Sequence, residues 1–382
     1  MSELEFQGIE RLFFGVDSIE RVADVVKPLG KRVLLVTEQS GKDKDSFVRL
    51  QSILHNGGLD PVVFDDIRPG IKTSVIETIA DIGKAGKIQV VVAMGGMRVL
   101  SVARVASVII GSEIGLSEAL RGKLPRQVDC SYVEVPNSCR NHFMMKDSCV
   151  ISDSVNERAR YIPLPSGMTK AVIIDPGLSM GLSSKYQLVA ILDTMLASIE
   201  GYLSVKRNFL SDIHLIEAMG RLRRALGITM RRPEDIAARQ QASEGGVLSA
   251  MGLATSSQGI GGTLAYMINA AFQAPKSWIA TVLLPHILDM YEEREPIRLA
   301  RIADALGEDI SGLESEKAAP MAARAVRRIL AQLELPTRLR DFNLSLSDVS
   351  AICAASAEFP LNQHCGLSLS SEEVCELIKK AF

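Results

Sequence analysis

Over the first half of the chain, short runs of β-branched and aliphatic residues alternate with segments whose apolar positions recur every three or four residues. The runs "KRVLLVTEQ", "LDPVVFDDI", "IQVVVAMGG", "SYVEVPNS" and "KAVIIDPG" predict strands. Between them "DSFVRLQSILHNGG", "SVIETIADIGKAG" and "RVLSVARVASVII" predict helices, the first closing at Gly57-Gly58. The strand runs are apolar throughout rather than alternating, as in strands covered on both faces, so a parallel sheet flanked by helices is expected. Beyond about residue 183 the pattern changes. "SKYQLVAILDTMLASIEGYLS", "SDIHLIEAMGRLRRAL", "PEDIAARQQASEGGVLSAMGLATSS", "PIRLARIADAL", "KAAPMAARAVRRILAQL" and "SSEEVCELIKKAF" carry apolar stripes of helical period. An α/β domain over residues 1–183 and an all-helical domain over 184–382 are therefore predicted.

Composition narrows the class. A chain of 382 residues is long enough for two cores. Hydrophobic content of 47% beside 23% charged residues is that of a soluble globular protein. The formal net charge of −2, without a long basic run, gives no reason to expect nucleic acid or a membrane surface as partner. The longest apolar stretch, "LVAILDTMLASI", is broken by Asp193 and too short to span a bilayer. The six cysteines form no C-x-x-C pair, and the acidic start "MSELEFQGIERLFFG" lacks the zones of a signal peptide. A cytoplasmic location is expected.

The first candidate chemistry sits where the run 88–94 meets a helix. Gly95-Gly96 follow the strand as in a phosphate-binding turn, but Met97 and Arg98 come next instead of a third glycine and a small hydroxyl residue. Arg98 could itself pair with a phosphate. The histidines form no local metal motif; His214 and His286 read as packed or surface residues. His142, in "NSCRNHFMM" (137–145), is a candidate acid or base because imidazole titrates near neutrality, and Cys139 lies close by.

Segments in order along the chain resemble the iron-containing (group III) alcohol dehydrogenase superfamily. These are "FFGVDSIERVADVVKPLGKRVLLVTE", "VVVAMGG", "VEVPNS", "AVIIDPGLSMGLSS", "ILDTMLASIEGYLS", "ATVLLPHILDM", "LPTRLRDFNLSLSDVSAICAASA" and "LSLSSEEVCELIKKAF". The resemblance implies a Rossmann-like parallel-sheet domain followed by an all-α domain, the architecture shared with dehydroquinate synthase. It also implies a divalent ion held by an Asp, a His four residues on, and two further His. Those positions fall here on Asp193, Ala197, Gly262 and Lys276, so three of the four ligands are replaced and no divalent metal is expected. An ammonium beside Asp193 would take over the charge role of the ion, and an Asp193–Lys276 ion pair is expected. For the NAD(P) site the resemblance points to Gly95, Gly96, Arg98, Asn137 and Ser138. The family's glycines in the second loop are replaced by Arg140 and His142, with Phe143 and Met144 following. Gln39 stands where an acidic residue would favour a free ribose 2′-hydroxyl.

Two functions follow. In the first, the protein is a metal-free, diverged relative without ordinary dehydrogenase activity. It would serve as an accessory or heteromeric binding subunit, a homo- or hetero-oligomer pairing with an active family member. In the second, it is a metal-independent NAD(P)-dependent oxidoreductase for a small alcohol, aldehyde or keto acid, with Lys276 polarising the substrate oxygen and His142 a further catalytic candidate.

Overall fold

The computed structural model describes residues 4–38, 45–68, 73–153 and 156–382, so Gln39 lies outside the described residues. The chain divides into two compact units, one of residues 7–183 and one of residues 184–382 with the N-terminal residues up to Phe6.

In the first unit the five predicted runs become β2 (Val33–Glu38), β3 (Val62–Ile67), β4 (Val90–Gly95), β5 (Ser131–Pro136) and β8 (Thr169–Ile174), and a short strand, β1 (Leu12–Phe14), joins them. They form one sheet of order β1-β8-β5-β4-β2-β3, and every neighbouring pair is parallel. The central strands β2, β4 and β5 are buried along nearly their whole length, which is why they read as unbroken apolar runs. Helices α1 (Val22–Val26), α2 (Asp45–Asn56), α3 (Ser74–Ala85), α4 (Met97–Ile110) and α5 (Leu116–Leu120) accompany them. Phe47, Leu50 and Leu54 of α2 join Val33, Leu35, Val90, Val92 and Val133 in one core. The chain runs outward from β2 to β3, then returns to β4 on the other side of β2. That reversal opens a crevice at the carboxyl ends of the strands, where doubly wound sheets bind ligands.

Several elements of this unit escape the sequence pattern, among them the five-residue helices α1 and α5. The edge strand β1 is three residues long, and β6 (Ser148–Asp153) pairs antiparallel with β7 (Arg158–Pro163) as a separate two-stranded sheet. "SCVISD" and "RARYIP" mix polar and apolar residues without a sustained period, so neither announces itself.

The second unit has nine helices among the described residues: α6 (Ser184–Leu203), α7 (Phe209–Arg231), α8 (Ile236–Ala254), α9 (Ile260–Phe272), α10 (Lys276–Tyr291), α11 (Pro296–Ala305), α12 (Ser315–Leu330), α13 (Leu346–Ser356) and α14 (Ser371–Ala381). The stripe pattern does not predict α9 and α10. Both are apolar on nearly every face because both are buried, and a helix without a polar side has no amphipathic period. The long helix α6 is buried continuously from Val189 to Leu203 and carries Asp193, Ala197 and Glu200. No helix among the described residues is long and apolar enough to cross a membrane.

Candidate functional site

At the carboxyl edge of the sheet, three strand ends stand side by side. Gly95 closes β4 in register with Pro136 of β5, and Asn137 N–H donates to the Gly95 carbonyl at 3.1 Å. Gly95 has φ +158°, and a Cβ there would lie 2.9 Å from Val99, so only glycine lets α4 start this close to its strand. Gly96 is the N-cap of α4 and, having no side chain, offers the helix no side-chain cap. This end of the helix dipole is positive and favours an anion. Arg98, half-exposed in the first turn, meets Glu38 at the end of β2 with Nη2 and Oε2 3.5 Å apart. Met97 begins the helix and is buried.

The loop after β5 completes this edge. Asn137 is buried, and its Oδ1 and the Ser138 Oγ find no hydrogen-bond partner among the described residues. Buried polar atoms left unsatisfied are costly, and a ligand offering hydrogen bonds would repay them. His142, Phe143 and Met144 follow, all buried, so the imidazole sits inside the fold and not on its surface. The turn, the helix start and the two orphaned side-chain atoms fit a dinucleotide phosphate.

In the helical unit, α6 presents Asp193 and Ala197 one turn apart. Lys276, the first residue of α10, places Nζ 2.5 Å from Asp193 Oδ1, with the two side chains 6% and 1% exposed. The ammonium also lies 4.6 Å from the centre of the Tyr266 ring. One turn beyond Ala197, Glu200 accepts the N–H groups of Gly261 and Gly262 at 2.6 and 2.9 Å, capping the start of α9. Burial pushes the Glu200 carboxyl above its ordinary value, while the backbone amides of Gly259, Gly262 and Gly261 and the charge of Lys276 draw it down. A Cβ at Gly262 would meet Gln258 Oε1 at 2.7 Å and Glu200 Oε2 at 3.1 Å. The glycines of "SQGIGGTLAYM" thus admit this carboxylate.

These residues do not suit a divalent cation. Asp193 already faces a cation, Ala197 offers no donor, and the space at Gly262 is taken by Gln258 and Glu200. Among the described residues no group of three or more His, Cys, Asp or Glu side chains is placed to hold a metal ion. The remaining histidines stand elsewhere: His214 Nδ1 bonds the Leu210 carbonyl at 2.7 Å, and burial lowers the His286 pKa. The backbone carbonyl of His364 accepts the Ser204 hydroxyl at 2.8 Å.

Two family models span this chain. That of iron-containing alcohol dehydrogenase matches residues 10–176, and that of the C-terminal part of the Fe-containing alcohol dehydrogenase family matches residues 188–382. The chain belongs to the iron-containing alcohol dehydrogenase family. Its similarity to the 1,3-propanediol dehydrogenase of Citrobacter freundii is 24% identity over 383 residues, covering 97% of this chain and 96% of the relative. It is 21% identical over 381 residues to the NAD-dependent methanol dehydrogenase of Bacillus methanolicus, covering 96% and 97%. The crystal structure of a 1,3-propanediol oxidoreductase superposes with a TM-score of 0.94 at 20% identity, covering both chains completely. Likeness at this identity establishes the iron-containing alcohol dehydrogenase fold: a parallel α/β sheet followed by an all-helical part.

Sequence reasoning brings together Gly95, Gly96, Arg98 and Asn137 at one edge, and Asp193 with Lys276 at another place. It missed Glu38, Glu200 and the buried pair Arg104–Glu134. Each of the last three is a charge inside an otherwise uncharged segment, "ASIEGYL", "VLSVARVASVII" and "SYVEVP", and such a charge signals a buried partner.

Proposed function

We propose that this member of the family is a nicotinamide-dependent oxidoreductase for a small alcohol or aldehyde that works without a divalent metal. The observation carrying this reading is the buried Asp193–Lys276 contact at the positions where the family resemblance puts ligands. Orphaned Asn137 and Ser138, the Gly95-Gly96 turn and the start of α4 would hold the dinucleotide, which supplies or accepts the hydride when bound. Glu38 would face a ribose hydroxyl and repel a 2′-phosphate, favouring NADH over NADPH. Lys276 would direct an N–H toward the carbonyl oxygen, stabilise the negative charge that grows there, and give up a proton as the alcohol forms. Asp193 keeps the ammonium charged and oriented, and solvent restores the proton. This assignment leaves His142 without a role.

A second reading rests on Phe143 and Met144, buried in the loop that would flank the dinucleotide. If they close the crevice, the chain is a binding subunit that pairs with an intact family member and performs no turnover. One set of measurements separates the two. Calorimetric titration with NADH and NADPH is expected to show submillimolar binding, tighter for NADH, and aldehyde reduction is expected to persist in chelator. In D193N/K276M, which removes both charges, kcat should fall by about 10²–10³-fold while NADH binding is retained. Absence of binding to either nucleotide, with co-purification of an intact relative from the host, would overturn the enzyme reading in favour of the subunit.

A further inference from the structure

Beneath the loop that follows β5 lies an ion pair used by neither reading of the site. Arg104 of α4 and Glu134 of β5 are 2% and 0% exposed, and Arg104 Nη2 bonds Glu134 Oε2. The other guanidinium nitrogen, Nη1, donates to the Phe143 carbonyl at 2.8 Å and reaches the Ser148 carbonyl at 3.5 Å. The second oxygen of Glu134 accepts the Asn141 side-chain amide. Tyr132 braces the assembly, its ring 5.6 Å from the guanidinium and its hydroxyl bonded to the Leu100 carbonyl at 3.1 Å. The loop is therefore gripped at residues 141, 143 and 148 by two charges rooted in regular elements, and at its start by the Asn137–Gly95 bond.

Burying two charges is expensive, and hydrophobic residues of similar volume would often be as stable. What a guanidinium adds is geometry. Its planar fork can hold a carboxylate and a backbone carbonyl at once, which an ammonium on a flexible stem cannot do in the same fixed arrangement. We infer that Arg104 is a positioning residue, whose contacts with Glu134 and the Phe143 carbonyl preset the loop 137–147 so that Asn137 and Ser138 stand beside Gly95-Gly96 before a ligand arrives. The inference rests on the nucleotide reading for its consequence, but not for the anchoring itself. A preset loop spares the ordering cost that binding otherwise carries, so loosening it weakens affinity while leaving the fold intact.

The test is Arg104→Lys, read by amide hydrogen exchange, thermal unfolding and NADH calorimetry on the full chain. Lysine keeps the pair with Glu134 but not the grip on the carbonyls. Exchange in peptides covering 137–148 should accelerate about tenfold, with peptides of β4 and β5 unchanged. The Kd for NADH should rise about tenfold while Tm stays close to wild type. A merely structural role would lower Tm and leave the Kd of the folded protein unmoved. Wild-type protection of the loop in R104K, or a loosened loop with unaltered affinity, would overturn the proposal. Should R104K not fold, R104M/E134L removes both charges and is read by the same exchange experiment, with a protected loop again the adverse result. If wild type binds neither NADH nor NADPH, the nucleotide reading falls, and exchange alone still upholds or overturns Arg104 as the anchor of the loop.

Discussion

Lys276 and Asp193 hold each other in an environment that would tolerate neither alone. With side chains 6% and 1% exposed, loss of one partner removes the opposite charge that the other faces, at a place water hardly reaches. K276M should therefore cost about 3–5 kcal/mol of unfolding free energy, and D193N/K276M should recover most of that loss. Urea unfolding of the single and double variants provides the measurement; equal instability of both would mean the pair contributes through packing and not through charge. The contact was legible from the sequence because both positions fall on a family spacing and carry opposite charges. Glu200 was not, because its partners are the backbone N–H groups of Gly261 and Gly262, and side-chain spacing says nothing about those. His142 shows a different limit. Its residue type suggested acid–base chemistry, but burial depends on the path of the loop around it, which no local pattern encodes.

At the scale of elements, the central strands and the amphipathic helices were readable because burial on two faces, or on one, leaves a distinct period. Helices α9 and α10 were not, since full burial erases the period, and Pro285 inside α10 further obscures it. Packing between α7 and α8 depends on small residues at their contact. A Cβ at Gly252 would lie 2.4 Å from Leu215 Cγ, well inside contact distance, so the two helices could not keep their present approach. G252A is expected to destabilise the protein by about 1–3 kcal/mol, visible as a lower Tm, despite alanine's better helix propensity. An unchanged or raised Tm would show that Leu215 repacks without loss. The hairpin β6–β7 illustrates what the pattern cannot supply: two mixed, six-residue strands acquire their identity only by pairing with each other.

For the whole molecule, the absence of a metal-holding cluster among the described residues bears on how stability responds to chelation. A protein that binds a cation in its native state gains free energy from occupancy and loses it when the cation is withdrawn. On the metal-free reading, exhaustive dialysis against a chelator should move Tm by no more than about 1 °C. Elemental analysis of the purified chain should likewise find iron and zinc well below one equivalent; a stoichiometric ion would show that Asp193 releases Lys276 to coordinate it.

Because the positive charge facing Asp193 is part of a side chain, it is synthesised with the polypeptide. It arrives in fixed stoichiometry, needs no delivery after translation, and cannot be exchanged for a competing ion. On the metal-free reading proposed above, starving cells of iron would not deprive this locus of its counter-charge, and peroxide would find no redox-active centre there to attack.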